Sequence, residues 1–445
     1  MKNQKQEPER MVVTLNSGQE LALKAVESGR NVFITGQGGV GKSELVRRIQ
    51  GMFYEKGKCI AVTGLTGIAA LTINGYTVHR WAGIGLGDDN IDVLFTKVSR
   101  NPNARRNWMN THSLVIDEVS MLSPELFVKL DQLGRRIRRI DKPFGGIQLI
   151  FCGDFCQLGP VKINTYCFES PLWDTCKFQV CYLTENMRQS DAKFQKMLGE
   201  IRLGYASQET KTALQERIGA KVGTMDIQPT RLFSNRSSVD QLNKNELEKI
   251  STNSIHFEAI DTCNTSITAE QRKNYTGLLD KSCQGKKNLY LKVGAQVMLI
   301  ANTAPDAGLV NGSRGVITGF KALTKTKSVP IVKFLNGVED IVATHSWDYC
   351  INENTKMKRT QIPLILAWGS TIHKAQGLTI DCVEIDLGDT IFAPGQFYTA
   401  LSRVKTLEGA SITQLNFDKL LCDAKVREFY QNLDLDYGLS RIKLD

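Results

Sequence analysis

The chain lacks any apolar run long enough to span a bilayer, so no transmembrane helix is expected. It has 11 cysteines but no Cys-x-x-Cys pair, and Cys59, Cys152 and Cys382 sit inside apolar, strand-like runs. That arrangement argues against a zinc cluster or a disulfide framework and for buried free thiols in a reducing compartment. Internal repeats and low-complexity tracts are absent. The first ten residues are polar and charged, fitting neither a secretory signal nor a transit peptide. Acidic side chains are the minority: 46 against 56 lysines and arginines leave a net charge of +10. A polyanionic partner is the natural reading, although composition cannot name it.

With 445 residues, 42% of them hydrophobic and 23% charged, two or three globular domains are expected. The first landmark is Gly36-Gln-Gly-Gly-Val-Gly-Lys42-Ser43, which fits G-x-x-x-x-G-K-[S/T], the phosphate-binding loop. Residues 31–35 before it form a short apolar strand, and apolar side chains at 45, 46, 49 and 52 after it have helical spacing. Strand, loop, helix is the context this motif requires. Gly36, Gly38, Gly39 and Gly41, with Val40 between them, let successive N–H groups line one concavity at a helix N-terminus, where anions are favoured. Lys42 then reaches the β- and γ-phosphates and the Ser43 hydroxyl ligates Mg²⁺.

Such a loop needs a second metal-holding group, a base and a γ-phosphate sensor. Asp117 ends the apolar run 113–117 and can hold Mg²⁺ through water, while Glu118 is placed to deprotonate the attacking water. Gln157 follows the strand-like run 148–153 and can hold that water or the γ-phosphate. The Gln19 amide can read an adenine edge or belong to a simple capping turn. Arg188 and Arg403, in the second segment, are candidates for a guanidinium that another domain places on the transferring phosphate.

Strand-like runs at 31–35, 58–63, 113–117 and 148–153, with helical patterns between them, predict a parallel sheet covered on both faces. Residues 73–110 read as an excursion from it. Ser123 as N-cap and Pro124 at the first helical position open a helix with a stripe through Leu126, Leu130, Leu133, Ile137 and Ile140. Its second half carries Arg135, Arg136, Arg138 and Arg139, readable as a solvated basic face. A second alternating segment begins near Val180, with strands at 229–234, 363–368 and 383–387. Between these, the turn signals Asn311-Gly312 and Asn336-Gly337 mark a small all-β insert over 311–362. Residues 253–288 fit no clear pattern.

The ordered set resembles the superfamily 1 DNA helicases that move 5′ to 3′, most closely the petite integration frequency family. The resemblance is carried by Gln19, Gly36–Ser43, Thr66–Ala70, Thr77–His79 with Ala82–Gly85, Asp117–Leu122, Gly153–Val161, Arg188-Gln189, Ile372–Gly377 and Ala400–Arg403. Residues 125–140 resemble that family's signature helix. The implied fold is α/β: two RecA-like parallel-sheet P-loop domains, at 1–179 and at 180–310 with 363–445. A wedge insertion at 73–110 and an SH3-like β-barrel insertion at 311–362 complete it.

The resemblance also implies an ATP- and Mg²⁺-dependent DNA helicase of replication, repair, recombination or telomere maintenance. Gln376 and Gly377 would join the phosphate loop, Gln19, Asp117, Glu118, Gln157, Arg188 and Arg403 in the ATP site. Thr66, His79, Trp81, His373 and Lys374 would lie on the single-strand track. Implied partners are single-stranded DNA and its junctions with duplex, G-quadruplexes or RNA–DNA hybrids, met by a monomer inside the cell. Two departures stand out: Cys156 and Gly159-Pro160 replace the family's usual aromatic and two prolines, and Arg80-Trp81 replaces a small residue and phenylalanine. Other classes compatible with the loop are a translocase that strips proteins from single strands and a switch ATPase acting on proteins.

Overall fold

The computed structural model describes residues 14–160, 163–223, 227–324, 327–350 and 355–437. The polar first ten residues and Val161, the end of one motif, lie outside them. A six-stranded, wholly parallel sheet runs in the order Tyr76–Thr77, Ile60–Gly64, Ser113–Asp117, Gln148–Cys152, Val32–Gly36, Gln179–Leu183. Val32–Gly36 and Ser113–Asp117 are buried at every position, as strands covered on both faces must be. Gly36, Asp117 and Cys152 end neighbouring strands, so the loops that follow them meet at one edge.

The sixth strand corrects the boundary expected near Val180. Gln179–Leu183 pairs with the phosphate-loop strand, Leu183 opposite Gly36, and so belongs to the first lobe. Backbone pairing decides this, and composition does not reveal it.

A second parallel sheet runs Gly369–Thr371, Thr230–Phe233, Val383–Leu387, Ala410–Leu415. The apolar run at 363–368, expected here, instead supplies Leu364–Leu366 to a five-stranded antiparallel sheet. The other members are Gln296–Leu299, Arg314–Ala322, Ser328–Phe334 and Glu339–Ile341, so the β-rich unit starts before 311. A short apolar run says that a strand is buried without saying in which sheet. The unplaced stretch 253–288 contains strands Ile255–Glu258 and Ile260–Cys263 and helix Ala269–Ser282.

Helix Pro124–Arg138 starts as expected, with Ser123 Oγ accepting the Leu126 N–H at 3.1 Å. Its buried face is Phe127, Leu130, Asp131, Leu133 and Gly134, and Ile140 lies exposed beyond its end. The arginines do more than face water. Arg138 Nη1 donates to the carbonyls of Trp108 at 2.8 Å and Thr111 at 3.1 Å, and Arg136 pairs with Asp92 at 2.6 Å. They fasten the excursion helices Ile91–Ser99 and Pro102–Asn110 to this one.

The last helix, Ala424–Tyr437, was expected with the second lobe but packs on the first. Phe429 stacks on Phe168 at 4.3 Å, and the Tyr430 hydroxyl meets Thr35 Oγ1 at 2.7 Å. One apolar core consequently runs through both lobes. Cys152 is buried and Cys382 half-buried, but Cys59 is exposed, just before the strand begins. No described helix is long and apolar enough to cross a membrane.

Candidate nucleotide site and nucleic-acid track

The phosphate loop is held in a shape only glycine allows at two points. Gly39 has φ +100° and a Cβ there would lie 2.7 Å from Arg188 Cβ; Gly41 has φ +79° and would meet Gln19 Nε2 at 2.5 Å. Lys42 Nζ is folded onto the loop, donating to the carbonyls of Gly36 at 2.7 Å and Gln37 at 2.8 Å. Burial pushes its ammonium below the usual lysine value.

Asp117 is only 5% exposed, and its Oδ1 accepts the Glu118 N–H at 2.9 Å. Burial first, then the charge of Glu118, raises the Asp117 carboxyl from 3.8 to about 7. Glu118 itself sits in the left-handed region at φ +54°, a strained conformation for a residue with a Cβ, of the kind that collects at functional sites. Its Oε2 accepts from Gln376 Nε2 at 2.9 Å, a bond from the second lobe to the first.

These groups converge. Lys42, Ser43, Glu118, Gln157, Arg188 and Arg403 line one cavity of about 410 Å³, with Gly377 on the far wall. Gln157 is 4% exposed, and its Oε1 has no hydrogen-bond partner among the described residues. Arg188 Nη1 donates to the Ser402 carbonyl at 2.8 Å; Arg403, 1% exposed, donates to Thr399 O at 2.9 Å and Ser402 Oγ at 2.6 Å. Neither guanidinium forms an ion pair with a carboxylate among the described residues. Burial, then the neighbouring Arg403, lowers Arg188 to about 9.

The origin of the two arginines differs from expectation. Arg188 follows the sixth strand of the first sheet, and its N–H donates to Gly39 O at 3.2 Å. Only Arg403 reaches the pocket from the second lobe. Gln19, 1% exposed, closes the capping turn of its helix: its amide accepts the Asn16 N–H and donates to Val40 O, bracing the loop beside the cavity.

A hub that sequence reading missed stands behind the pocket. Asp154 Oδ1 accepts from Arg202 Nη2 at 2.9 Å, with both side chains buried. The hydroxyls of Tyr398 at 3.3 Å and Tyr430 at 3.2 Å complete its shell. Tyr398 Oη also accepts the Gly38 N–H at 2.8 Å, so the second lobe touches the phosphate loop directly. Asp154 lies inside a motif already singled out, whereas nothing local distinguishes Arg202 from any helical arginine.

The residues expected on a single strand divide. Trp81 is 5% exposed, its ring 4.5 Å from Trp108; it is core, because the excursion helices need an apolar centre of their own. Thr66 Oγ1 accepts the Ala69 N–H at 3.1 Å and remains half-buried, as does His79. His373 and Lys374 share the four-residue helix Ile372–Ala375 with Gln376 as its C-cap. Lys374 is exposed as a whole residue, but partial burial of its ammonium, then the charges of Arg236 and Lys286, hold that group below its usual value. Arg236 and Lys286 were not foreseen, and the pair Lys286-Lys287 in the unplaced stretch was the available signal.

Comparison with known proteins adds a family. A PIF1-like helicase family model matches residues 14–212, and a model of the DNA helicase Pif1 2B domain matches 274–320. The human ATP-dependent DNA helicase PIF1 is 40% identical over 432 residues, covering 96% of this chain and 65% of that protein. The crystal structure of Pif1 helicase from Candida albicans superposes with TM-score 0.83 at 36% identity, covering 95% of this chain and 100% of that one. The chain belongs to the PIF1-like helicase family. Its two parallel sheets are accordingly RecA-like. A Pif1 helicase from Bacteroides in complex with ADP-AlF3 and ssDNA matches at 25% identity and TM-score 0.69, covering 96% of this chain and 98% of that one. The chain spans about two thirds (65%) of the human relative's length.

Proposed function

We propose that this chain is a DNA-stimulated ATPase that moves 5′ to 3′ along single-stranded DNA and opens duplexes. The observation that carries the reading is the cavity in which the phosphate loop faces two guanidinium groups that form no ion pair with a described carboxylate. Buried cations without counter-charges are costly, so the site suits a polyanion such as a triphosphate. The adjacent carboxylates Asp117 and Glu118, the first raised by burial and then by the charge of the second, suit a divalent cation. Ser43 and Asp117 would hold Mg²⁺, which when bound would supply positive charge to neutralise the phosphates.

In this reading the loop amides and Lys42 bind the phosphates, and Gln157 holds the attacking water. Glu118 takes its proton, kept in place by Gln376. Arg403 and Arg188 stabilise charge on the transferring group. Coupling to movement follows from one short helix: Gln376 at its end grips Glu118, while His373 and Lys374 on it face the basic track. A change in Glu118's partners therefore moves residues that hold DNA. Thr66 and His79 extend that track on the first lobe, phosphate contacts dominating affinity.

The complex of the Bacteroides relative with ADP-AlF3 and ssDNA supports the same pairing of ligands. Action as a monomer and recognition of forks, G-quadruplexes or RNA–DNA hybrids belong to the same proposal, and the direction of travel rests on family membership. ATPase activity with and without single-stranded DNA, then displacement of 5′- and 3′-tailed duplexes, tests it. An ATPase rate indifferent to DNA points to a protein-directed switch. A DNA-stimulated rate with protein displacement but no strand displacement points to a pure translocase.

A further inference from the structure

Beyond Glu118 the nucleotide cavity continues into a second space of about 880 Å³. Thr72, Gly377, Thr379 and Lys405 line both. Gly377 stands at the junction, where a Cβ would lie 3.6 Å from Glu118 Oε1 and 4.0 Å from Thr72 Oγ1, in ordinary van der Waals contact. Gly377, which lines both spaces, thus lies beside the carboxylate assigned to activating water, which lines the first space alone.

The second space is walled by the first lobe, the second lobe and the antiparallel sheet, and cations from all three reach it: Arg47, Lys405 and Arg314. Arg314 is the telling one. It is 5% exposed, Nη2 donates to Gln228 O at 2.7 Å and Nη1 to Cys382 O at 3.4 Å, and Nε has no hydrogen-bond partner among the described residues. It forms no ion pair with a described carboxylate; Asp381, which acts on it electrostatically, is engaged by Lys405 at 3.2 Å. Arg47 and Lys405 have acidic partners, whereas Arg314 is a buried charge lining the cavity whose hydrogen bonds among the described residues go to carbonyls. Charge-assisted bonds to a small oxyanion would satisfy it.

We propose that this second cavity binds inorganic phosphate and is the route by which the hydrolysed γ-phosphate leaves, past Glu118 and Gly377 to Arg314, while the diphosphate still occupies the loop. The proposal rests on the ATPase reading above. It assigns a task to a guanidinium that the hydrolysis itself does not use. Product release is a common rate-limiting step in such enzymes, so the route bears on turnover.

The test uses the full chain with ATP and single-stranded DNA. Quench-flow reads cleavage, and a fluorescent phosphate-binding protein reads release. R314Q removes the charge; V310W fills the rim from a side chain that is 40% exposed, leaving Arg314 intact. In either variant, cleavage stays near the wild-type rate while release slows about tenfold, the loss of roughly one charge-assisted bond. Retained phosphate then shows as a burst of cleavage ahead of release. Release keeping pace with cleavage in both variants overturns the proposal. Wild-type chain that cleaves no ATP with DNA present overturns the ATPase reading instead, so the two failures are distinct.

Discussion

Replacing Asp117 with asparagine is expected to stabilise the nucleotide-free protein while abolishing its turnover. The carboxyl is 5% exposed, and burial with the adjacent Glu118 charge raises it from 3.8 to about 7. The folded chain therefore keeps a proton that the unfolded chain releases. The stability this proton confers is fully present below pH 3.8, drains away as pH climbs to about 7, and is gone above that. At about 1.36 kcal/mol for each tenfold change in proton affinity, the ionised carboxylate costs at most about 4 kcal/mol at pH 8. Because the site relaxes around the ionised carboxylate, D117N should gain roughly 1–3 kcal/mol there. At pH 5 the gain should fall to less than half that, since most of the wild-type penalty has not yet appeared. The amide keeps an oxygen to accept the Glu118 N–H, so packing is conserved. Urea unfolding of both proteins without nucleotide, at pH 5 and pH 8, measures the difference. A D117N protein no more stable than wild type at pH 8, or an advantage that ignores pH, refutes the reasoning.

Three further outcomes are expected. E118Q should bind nucleotide within a few-fold of wild type yet lose about 10²–10⁴ in kcat, read by nucleotide titration and DNA-stimulated ATPase assays; normal turnover would remove Glu118 from the base role. R202M leaves the buried Asp154 carboxylate without its cation, facing two hydroxyls and the Cys156 N–H, and should cost about 3–5 kcal/mol in denaturant unfolding, so an unchanged midpoint contradicts the hub. Single-strand affinity should fall with salt at a slope of about 0.7 per neutralised phosphate, and K374A should flatten that slope by about 0.7; an identical slope takes Lys374 off the track.

Sequence reading and structure disagree in an orderly way. Lys42, Ser43, Asp117, Glu118 and Gln157 were legible because each sits within a few residues of a strand end, and a parallel sheet brings strand ends together. Trp81 was misplaced because an aromatic beside a motif looks alike whether it faces a base or Trp108. For Gln19 the sequence left an adenine contact and a capping turn both open; the turn is present, and its amide has room because Gly41 carries no side chain there.

By itself the sequence determined the phosphate loop, the acidic pair, the sheet-forming runs and the capped helix at Ser123, because these depend on neighbours within a turn or a strand. Only the tertiary structure decided that Gln179–Leu183 joins the first sheet, that Leu364–Leu366 leaves the second, and that Arg314 is a buried cation with no ion pair among the described residues. It alone brought Arg202 to Asp154 and Gln376 to Glu118. The reason is physical: strand partners and counter-charges are chosen by distance in space, and the residues concerned lie from 48 to 258 positions apart along the chain.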